Sequence, residues 1–209
     1  MDRIALSFGL VLLTSAAVFA QDASPAAAAS ASAGSDSAFV SKAAVVGLAE
    51  VKLGDLAQKN GADADVKAYG KRMVDDHGKA NQELTDLAAK KGWTLPKDVD
   101  ADHQKMYDDL SKLSGAEFDK AYIGHMVSGH NGSIADFQAA STTAADADLK
   151  AWAGKTLPTL QEHLTQAQTV ATKVGASAGA SPAPSASGGA HAPAPAGGEP
   201  AAPAPETHK

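Results

Sequence analysis

Apolar side chains recur at alternating steps of four and three residues through much of the region 37–174, and this spacing places them along one face of an α-helix. The second of four such stripes contains Val66, Gly70, Met73, His77, Ala80, Leu84 and Leu87. Helix-favouring residues are frequent in this region and runs of β-branched residues are few. The sequence therefore predicts an all-α domain of four helices with a single core. We expect a short additional helix near residues 101–112.

Turn and cap residues divide this region into its helices. Gly61 follows the first helix at a position where the backbone is often left-handed, and Gly92 follows the second. Asp63 and Asp146 are placed to cap the second and fourth helices. The segment Ser114–Glu117 has the capping-box pattern and predicts the start of the third helix.

Each predicted helix carries one ionisable side chain in or beside its apolar stripe. These side chains are Glu50, His77, His130 and His163. A buried polar group without a partner costs roughly 1–3 kcal/mol, so four of them in one core need partners. Neutral imidazole and carboxylate are good ligands for Zn, Cu, Mn or Fe. The pattern therefore predicts a site for one transition metal ion formed by these four residues.

A metal-free network uses the same residues and stays open at this point. In that alternative, the Glu50 carboxylate accepts a hydrogen bond from a histidine N–H. Counted from the connecting turns, the four side chains also lie at levels that differ by about one to two helical turns. A shared site therefore requires helix tilt or connections of unequal length.

Other polar residues are expected to lie outside this cluster. His125 stands five residues before His130 on the same helix, so the two side chains point to different faces and His125 is expected at the surface or boundary. His103 lies in the long connection and is expected to be exposed. Asp75 and Asp76 are interpreted as a solvated acidic face.

The first twenty residues have the pattern of a secretory signal peptide. Arg3 provides a short basic start, an apolar run follows, and Ala20 suits a small-residue cleavage site. The apolar run is short for a membrane span. We therefore expect a periplasmic or secreted protein without an integral membrane span after cleavage. The chain has no cysteine, which excludes disulfides and thiolate metal sites.

Two low-complexity segments flank the central region. Residues 21–36 are rich in Ala and Ser, and residues 175–209 are rich in Pro, Ala, Gly and Ser. Neither contains the large apolar side chains that offset the entropy of ordering, so both are predicted to be disordered. His191 and His208 lie in the second segment, where any metal binding would be weak. This Pro/Ala-rich tail is a candidate contact with the cell envelope.

Charge and motifs exclude several functional classes. The net charge is −6, with 18 basic residues dispersed among 24 acidic ones, and no basic stripe is present. Nucleic acid is therefore not an expected partner. There is no glycine-rich phosphate loop after a strand and no nucleophile elbow. We predict no catalytic residues and no organic cofactor.

Four segments carry a resemblance to a known family. They are FVSKAAVVGLAEVKLGDLAQKN, VKAYGKRMVDDHGKAN, FDKAYIGHMVSGH and LKAWAGKTLPTLQEHL. On these segments the chain resembles the bacterial DUF4142 family across about residues 38–172. The resemblance implies an exported protein with a ferritin-like four-helix bundle and a long crossover between helices two and three. It places Glu50, His77, His130 and His163 at recurring polar positions and implies no established activity.

The sequence departs from ferritin-like di-iron sites, which use Glu-x-x-His on two helices. Val74 and Leu160 stand three residues before His77 and His163, so the carboxylates that would bridge two irons are missing. We therefore do not predict ferroxidase or oxygenase chemistry.

Two functional interpretations follow from the sequence. The first is an exported, periplasmic metal-binding protein, rather than an enzyme, with a Glu/His cluster in its core. The alternative is a metal-free structural or interaction protein of the cell envelope, in which the tail serves as a spacer.

Overall fold

The structure, a computed structural model, describes residues 25–177, with side chains from residue 34 onward. Within that range it contains five helices and no strand, which confirms the all-α prediction. The helices are α1 (Pro25–Asn60), α2 (Ala64–Lys91), α3 (Ala101–Ser111), α4 (Gly115–Thr143) and α5 (Ala147–Val174). The predicted signal peptide at 1–20 and residues 178–209 of the predicted disordered tail lie outside the described residues.

Helix α1 begins earlier than the sequence predicted. It starts at Pro25, so residues 25–36, which were expected to be a disordered linker, form its first turns. Alanine has the highest helix propensity, and proline is favoured at the first helical position. An Ala-rich segment continuous with an amphipathic helix therefore extends that helix.

The four long helices form two hairpins. Three-residue turns join α1 to α2 and α4 to α5, and these two pairs have the most extensive packing. The hairpins meet through α1 against α4 and α2 against α5. The short helix α3 lies in the connection between the hairpins, as predicted, and contacts α1 and α4.

Several predicted helix ends are confirmed. The Asp63 side chain accepts a hydrogen bond from the backbone of α2, and the Asp146 side chain accepts two from the backbone of α5. Gly92 ends α2 with φ of 69°.

Two further helix ends lie where they were predicted, after Asn60 and at Ser114, but their cap geometry differs from the prediction. Gly61 does not adopt a left-handed backbone. A Cβ atom at Gly61 would lie 2.7 Å from the Ala57 carbonyl oxygen and 3.1 Å from Asp119 Oδ1, so close approach explains this glycine. Ser114 makes no side-chain cap hydrogen bond. The chain enters α4 through Gly115, whose φ is 64°. A left-handed residue at this position is not part of a capping box.

The two hairpins repeat each other with a constant offset of 83 residues. Helix α2 at 64–91 corresponds to α5 at 147–174, and α1 and α4 both end at corresponding positions, 60 and 143. Asp36 accepts hydrogen bonds from the backbone of the α4–α5 turn, and its counterpart Asp119 accepts them from the α1–α2 turn. Each hairpin therefore fixes the turn of the other.

Two apolar clusters occupy opposite ends of this assembly. One includes Leu53, Met73, Phe118 and Val170 near the α1–α2 turn. The other includes Val40, Leu84, Ala144, Leu149 and Trp152 near the α4–α5 turn.

The predicted polar residues lie between these clusters in all four long helices. They are Glu50, His77, His130 and His163, and each is less than 9 % exposed. A polar layer thus separates the two halves of the core. Over residues 25–177, none of the helices combines the length and apolar character needed to cross a membrane.

Candidate metal centre

Three histidines converge in this polar layer. His77 on α2, His130 on α4 and His163 on α5 each offer one ring nitrogen, and these nitrogens lie within 4.8 Å of one another. The ring centroids are 5.3–5.8 Å apart. The residues are 8 %, 1 % and 1 % exposed, respectively. The structure therefore brings together three of the four predicted ligands.

Each of these histidines has a buried ring nitrogen without a hydrogen-bond partner. The atoms are Nε2 of His77, Nε2 of His130 and Nδ1 of His163. An unpartnered buried polar atom costs roughly 1–3 kcal/mol, and three such atoms within one group need a common explanation. A bound cation would satisfy all three at once.

Hydrogen bonds at the opposite ring nitrogens set the tautomers of two histidines. His130 Nδ1 lies 2.9 Å from the Met126 carbonyl oxygen, which can only accept, so Nδ1 carries the proton. His163 Nε2 lies 2.8 Å from Asp76 Oδ2, and it likewise donates. The lone pairs of both neutral rings are therefore on the unpartnered nitrogens, the form that metals bind.

The surroundings keep the three rings neutral. Burial lowers the pKa of His130 and of His163 to about 4, although Met126 and Asp76 oppose this shift. Burial, together with the neighbouring imidazoles, lowers the pKa of His77 well below its ordinary value. All three side chains are therefore uncharged at pH 7 and available as ligands.

Asp76 supports the site from outside. Burial opposes its ionisation, but hydrogen bonds from His163 and Arg72 outweigh this and hold the pKa of Asp76 below its usual range. Arg72 reaches Asp76 Oδ2 at 3.1 Å and Glu162 Oε2 at 2.7 Å, which ties α2 to α5. A carboxylate that accepts from the far nitrogen of a liganding histidine fixes its orientation and increases its basicity.

The expectation that Asp76 belongs to a solvated acidic face is therefore incomplete, because its side chain is 35 % exposed but also accepts a hydrogen bond from His163. Residues adjacent on a helix do not share a direction, so Asp76 does not enter the centre beside His77. It instead faces α5, where His163 meets it. The sequence offered a signal in the spacing of Arg72 and Asp76, an i,i+4 ion pair on one helix face.

The three histidines do not follow the repeat of the two hairpins. At the 83-residue offset, His77 corresponds to Leu160, His130 to Gly47 and His163 to Ala80. Apolar or small residues therefore occupy the equivalent positions. His77 belongs to the first hairpin and the other two histidines to the second, so the cluster departs from the repeat in both.

Glu50 lies outside the group of three histidines. A Cβ atom at Gly129 would lie 3.9 Å from Glu50 Oε1, so the Glu50 carboxylate faces α4. The other carboxylate oxygen, Oε2, has no hydrogen-bond partner. Burial raises the pKa of Glu50 to about 7, and His125 and His103 oppose the rise. Both of these histidines are half-buried, where exposure was expected for His103. Glu50 therefore has its own polar surroundings.

The substitution Glu50→Gln is expected to stabilise the protein at high pH. The pKa of Glu50 is higher in the folded chain than its ordinary 4.5, so its favourable contribution is complete below pH 4.5 and is lost as the pH rises through about 7. The rise corresponds to roughly 3 kcal/mol. Urea unfolding at pH 4 and pH 8 measures the free energy of unfolding of both proteins. From pH 4 to pH 8, the difference between the two should shift in favour of the variant by about this amount.

The exposed carboxylate of Glu117 provides the matched control. Glu117→Gln makes the same substitution at an exposed position of α4. If Glu50→Gln shows no greater pH dependence than this control, the carboxylate of Glu50 is not held in the buried position described above.

A small cleft connects the histidines to solvent between α2 and α5. Its volume is about 110 Å³. It is lined by Asp76, His77, Lys79, Ala80 and Glu83 of α2 and by Lys155, Thr156, Thr159, Leu160 and His163 of α5. The two histidines are buried and the lysines are exposed, so the histidines form its inner wall.

The sequence was compared with known proteins. The family described as Domain of unknown function (DUF4142) matches residues 21–170. No curated protein and no solved structure matches. The matched range contains Glu50, Asp76 and the three clustered histidines. With most of its residues matched, the chain belongs to the DUF4142 family.

Proposed function

We propose that this chain is an exported metal-binding protein in which His77, His130 and His163 hold one transition metal ion. The carrying observation joins two facts about the same three histidines. Each has a buried ring nitrogen without a hydrogen-bond partner, and one ring nitrogen of each lies within 4.8 Å of those of the other two. Their neutral state and the Asp76 carboxylate behind His163 support the same function.

The distances suit a site that closes on its ion. Bonds of about 2.0–2.1 Å from zinc to three nitrogens place those nitrogens roughly 3.3–3.6 Å apart. The present limit of 4.8 Å requires an approach of about 1.5 Å or less. Rotation of the imidazole rings and small shifts of three helices supply such a movement.

The ligand set favours some of the four candidate metals over others. Imidazole suits Zn, Cu and Fe, whereas Mn prefers carboxylate and other oxygen ligands. Because the converging group contains three nitrogens and no carboxylate, Cu and Zn are favoured over Mn. Glu50 contributes to the proposed function as a buried acid beside the site and not as one of the three converging ligands.

The wider setting of the proposal comes from the sequence. We place the site inside a ferritin-like four-helix bundle of α1, α2, α4 and α5, with the connection through α3 as the crossover. The signal-like segment at 1–20 supports export to the periplasm or beyond. The Pro/Ala-rich tail at 175–209 is proposed as a contact with the cell envelope.

The metal-free alternative leaves more polar atoms unsatisfied. Glu50 does not accept a hydrogen bond from any histidine among the described residues, and its Oε2 is itself unpartnered. Only His163 has a carboxylate partner, Asp76, and that bond uses the other ring nitrogen. A network of side chains therefore does not replace the ion.

Metal analysis of the mature protein tests this function. After equilibrium dialysis against Zn²⁺ or Cu²⁺ with a competing chelator, we expect one ion per chain. His130→Ala removes one of three ligands, so affinity should fall by about 100-fold or more, beyond the 10- to 100-fold typical of losing an outer partner.

His103→Ala is the matched control, because it also removes one imidazole but leaves the converging group intact. It is expected to retain the affinity of the native protein. The proposal fails if neither metal binds, or if His103→Ala and His130→Ala reduce binding equally.

A further inference from the structure

We infer that the ion held by the three histidines keeps one coordination position open to the cleft between α2 and α5, and that a small exogenous anion binds there. This inference rests on the proposed function and specifies the ligand class of the same site. It follows from the charge of the ligand set and from the shape of the surroundings.

The charge of a divalent ion would not be balanced by the converging side chains. Imidazole binds a metal ion in its neutral form, so the three histidine ligands add no negative charge. Asp76 is not one of the converging groups, and its Oδ2 already accepts from His163 and from Arg72. An uncompensated buried charge is strongly unfavourable. An anionic fourth ligand would reduce that imbalance.

No described carboxylate is placed to serve as that fourth ligand. Glu50 is outside the converging group, and its carboxylate lies against α4 at Gly129. Asp76 reaches the site only through the far nitrogen of His163. The anion must therefore come from solvent.

The cleft between α2 and α5 offers a direction for its entry. Tyr69 and Met73 are fully buried, and the Tyr69 ring lies edge-on to His130 with centroids 6.4 Å apart. The two apolar clusters close the ends of the core. The cleft between α2 and α5 is lined by His77 and His163 and therefore provides the route.

The cleft limits the size and sign of the ligand. Its volume of about 110 Å³ corresponds to three or four water molecules at roughly 30 Å³ each, so it fits a small monovalent anion. Lys155 pairs with Glu83 at 2.9 Å, whereas Lys79 forms no ion pair with another described residue. The free ammonium group of Lys79 favours an anion over a neutral molecule of the same size.

Visible spectroscopy of the Co²⁺-loaded full-length protein, with azide as the probe anion, tests the inference. Co²⁺ bound by the histidines should give visible d–d bands, and azide should change them along a saturable one-site curve. Thr159→Leu places a larger side chain in the cleft without replacing a ligand. It should keep the Co²⁺ bands and weaken azide binding about tenfold or more, the change produced by a steric cost of roughly 1.4 kcal/mol.

Thr169→Leu is the matched control, because it makes the same substitution at an exposed position of α5 outside the cleft. It should bind azide as the native protein does. If Co²⁺ bands form but azide leaves them unchanged, the open position is refuted while metal binding stands. Equal azide affinity in Thr159→Leu and the native protein refutes the cleft as the route. If no Co²⁺ bands form, both the inference and the proposed function fail.

Discussion

Acidification from pH 7 to pH 4 is expected to unfold the metal-free protein. Burial lowers the pKa of His130 and of His163 to about 4 in the folded chain, below the ordinary 6.5. The stability linked to a depressed pKa is present above pH 6.5 and is lost as the pH falls through about 4. By pH 4, protonation of each histidine lowers the free energy of unfolding by roughly 3 kcal/mol, so the two together lower it by roughly 6 kcal/mol. Urea unfolding with chelator across this range measures the loss.

This loss is large compared with the total stability of a typical domain, about 5–15 kcal/mol. His77, whose pKa is also strongly lowered, adds to it. Ionisation of Glu50 has the opposite effect, because its contribution to stability is lost as the pH rises from 4.5 through about 7. The metal-free protein should therefore be most stable near neutral pH.

The variant His130→Phe separates this effect from general acid denaturation. Phenylalanine fills a similar volume and cannot be protonated, so the variant should lose roughly 3 kcal/mol of the pH dependence between pH 7 and pH 4. His191→Ala, beyond the described residues, is the control and should keep the native profile. An unchanged profile for His130→Phe would contradict the burial of a neutral imidazole at this position.

The helical fold was predictable because its signals are local. The period of apolar residues and the caps at Asp63 and Asp146 are set by side chains close in sequence. The unexpected cap geometry at Gly61 and Ser114 has a different origin. Gly61 is explained by Asp119, which comes from the other hairpin, and such a contact is not visible in the local sequence.

The candidate site was predictable only in part for the same reason. The positions of His77, His130 and His163 in apolar stripes identified three side chains that the structure brings together. The direction of a side chain within a layer depends on how the helices are rotated against each other. The sequence therefore did not show that the Glu50 side chain faces α4 or that the Asp76 side chain faces α5.

The repeat of 83 residues clarifies what the sequence encodes twice. Caps, turn-holding aspartates and the length of the second helix recur in both hairpins, because both must solve the same packing problem. The three histidines do not recur. Comparing the two halves of one chain thus distinguishes features that recur with the packing from the histidines, which do not.

Metal is expected to raise the melting temperature of the mature protein by about 8–16 °C. An ion that binds only the folded chain stabilises it by about 4.1 kcal/mol at a free concentration 1,000 times the dissociation constant. For a domain of 150–250 residues, each 1 kcal/mol shifts the midpoint by roughly 2–4 °C. Thermal unfolding with chelator, and then with Zn²⁺ or Cu²⁺ added singly, measures the shift.

Two variants connect this shift to the site. His77→Ala should abolish most of it. Asp76→Asn keeps the three ligands but removes the anionic partner of His163, so affinity should fall about 10- to 100-fold. The stabilisation at the same metal concentration should then fall by roughly 1.4–2.7 kcal/mol. A full shift in His77→Ala would show that the ion binds elsewhere.

The pH dependence of the shift distinguishes the buried site from adventitious binding. Ordinary histidines, with a pKa near 6.5, are largely protonated at pH 5 and bind metal poorly there. His130 and His163 remain neutral in the folded chain down to about pH 4, because burial opposes their protonation. The metal-induced shift should therefore persist at pH 5 and disappear near pH 4. A shift that is already lost at pH 5 would assign the ion to exposed histidines and not to the centre formed by α2, α4 and α5.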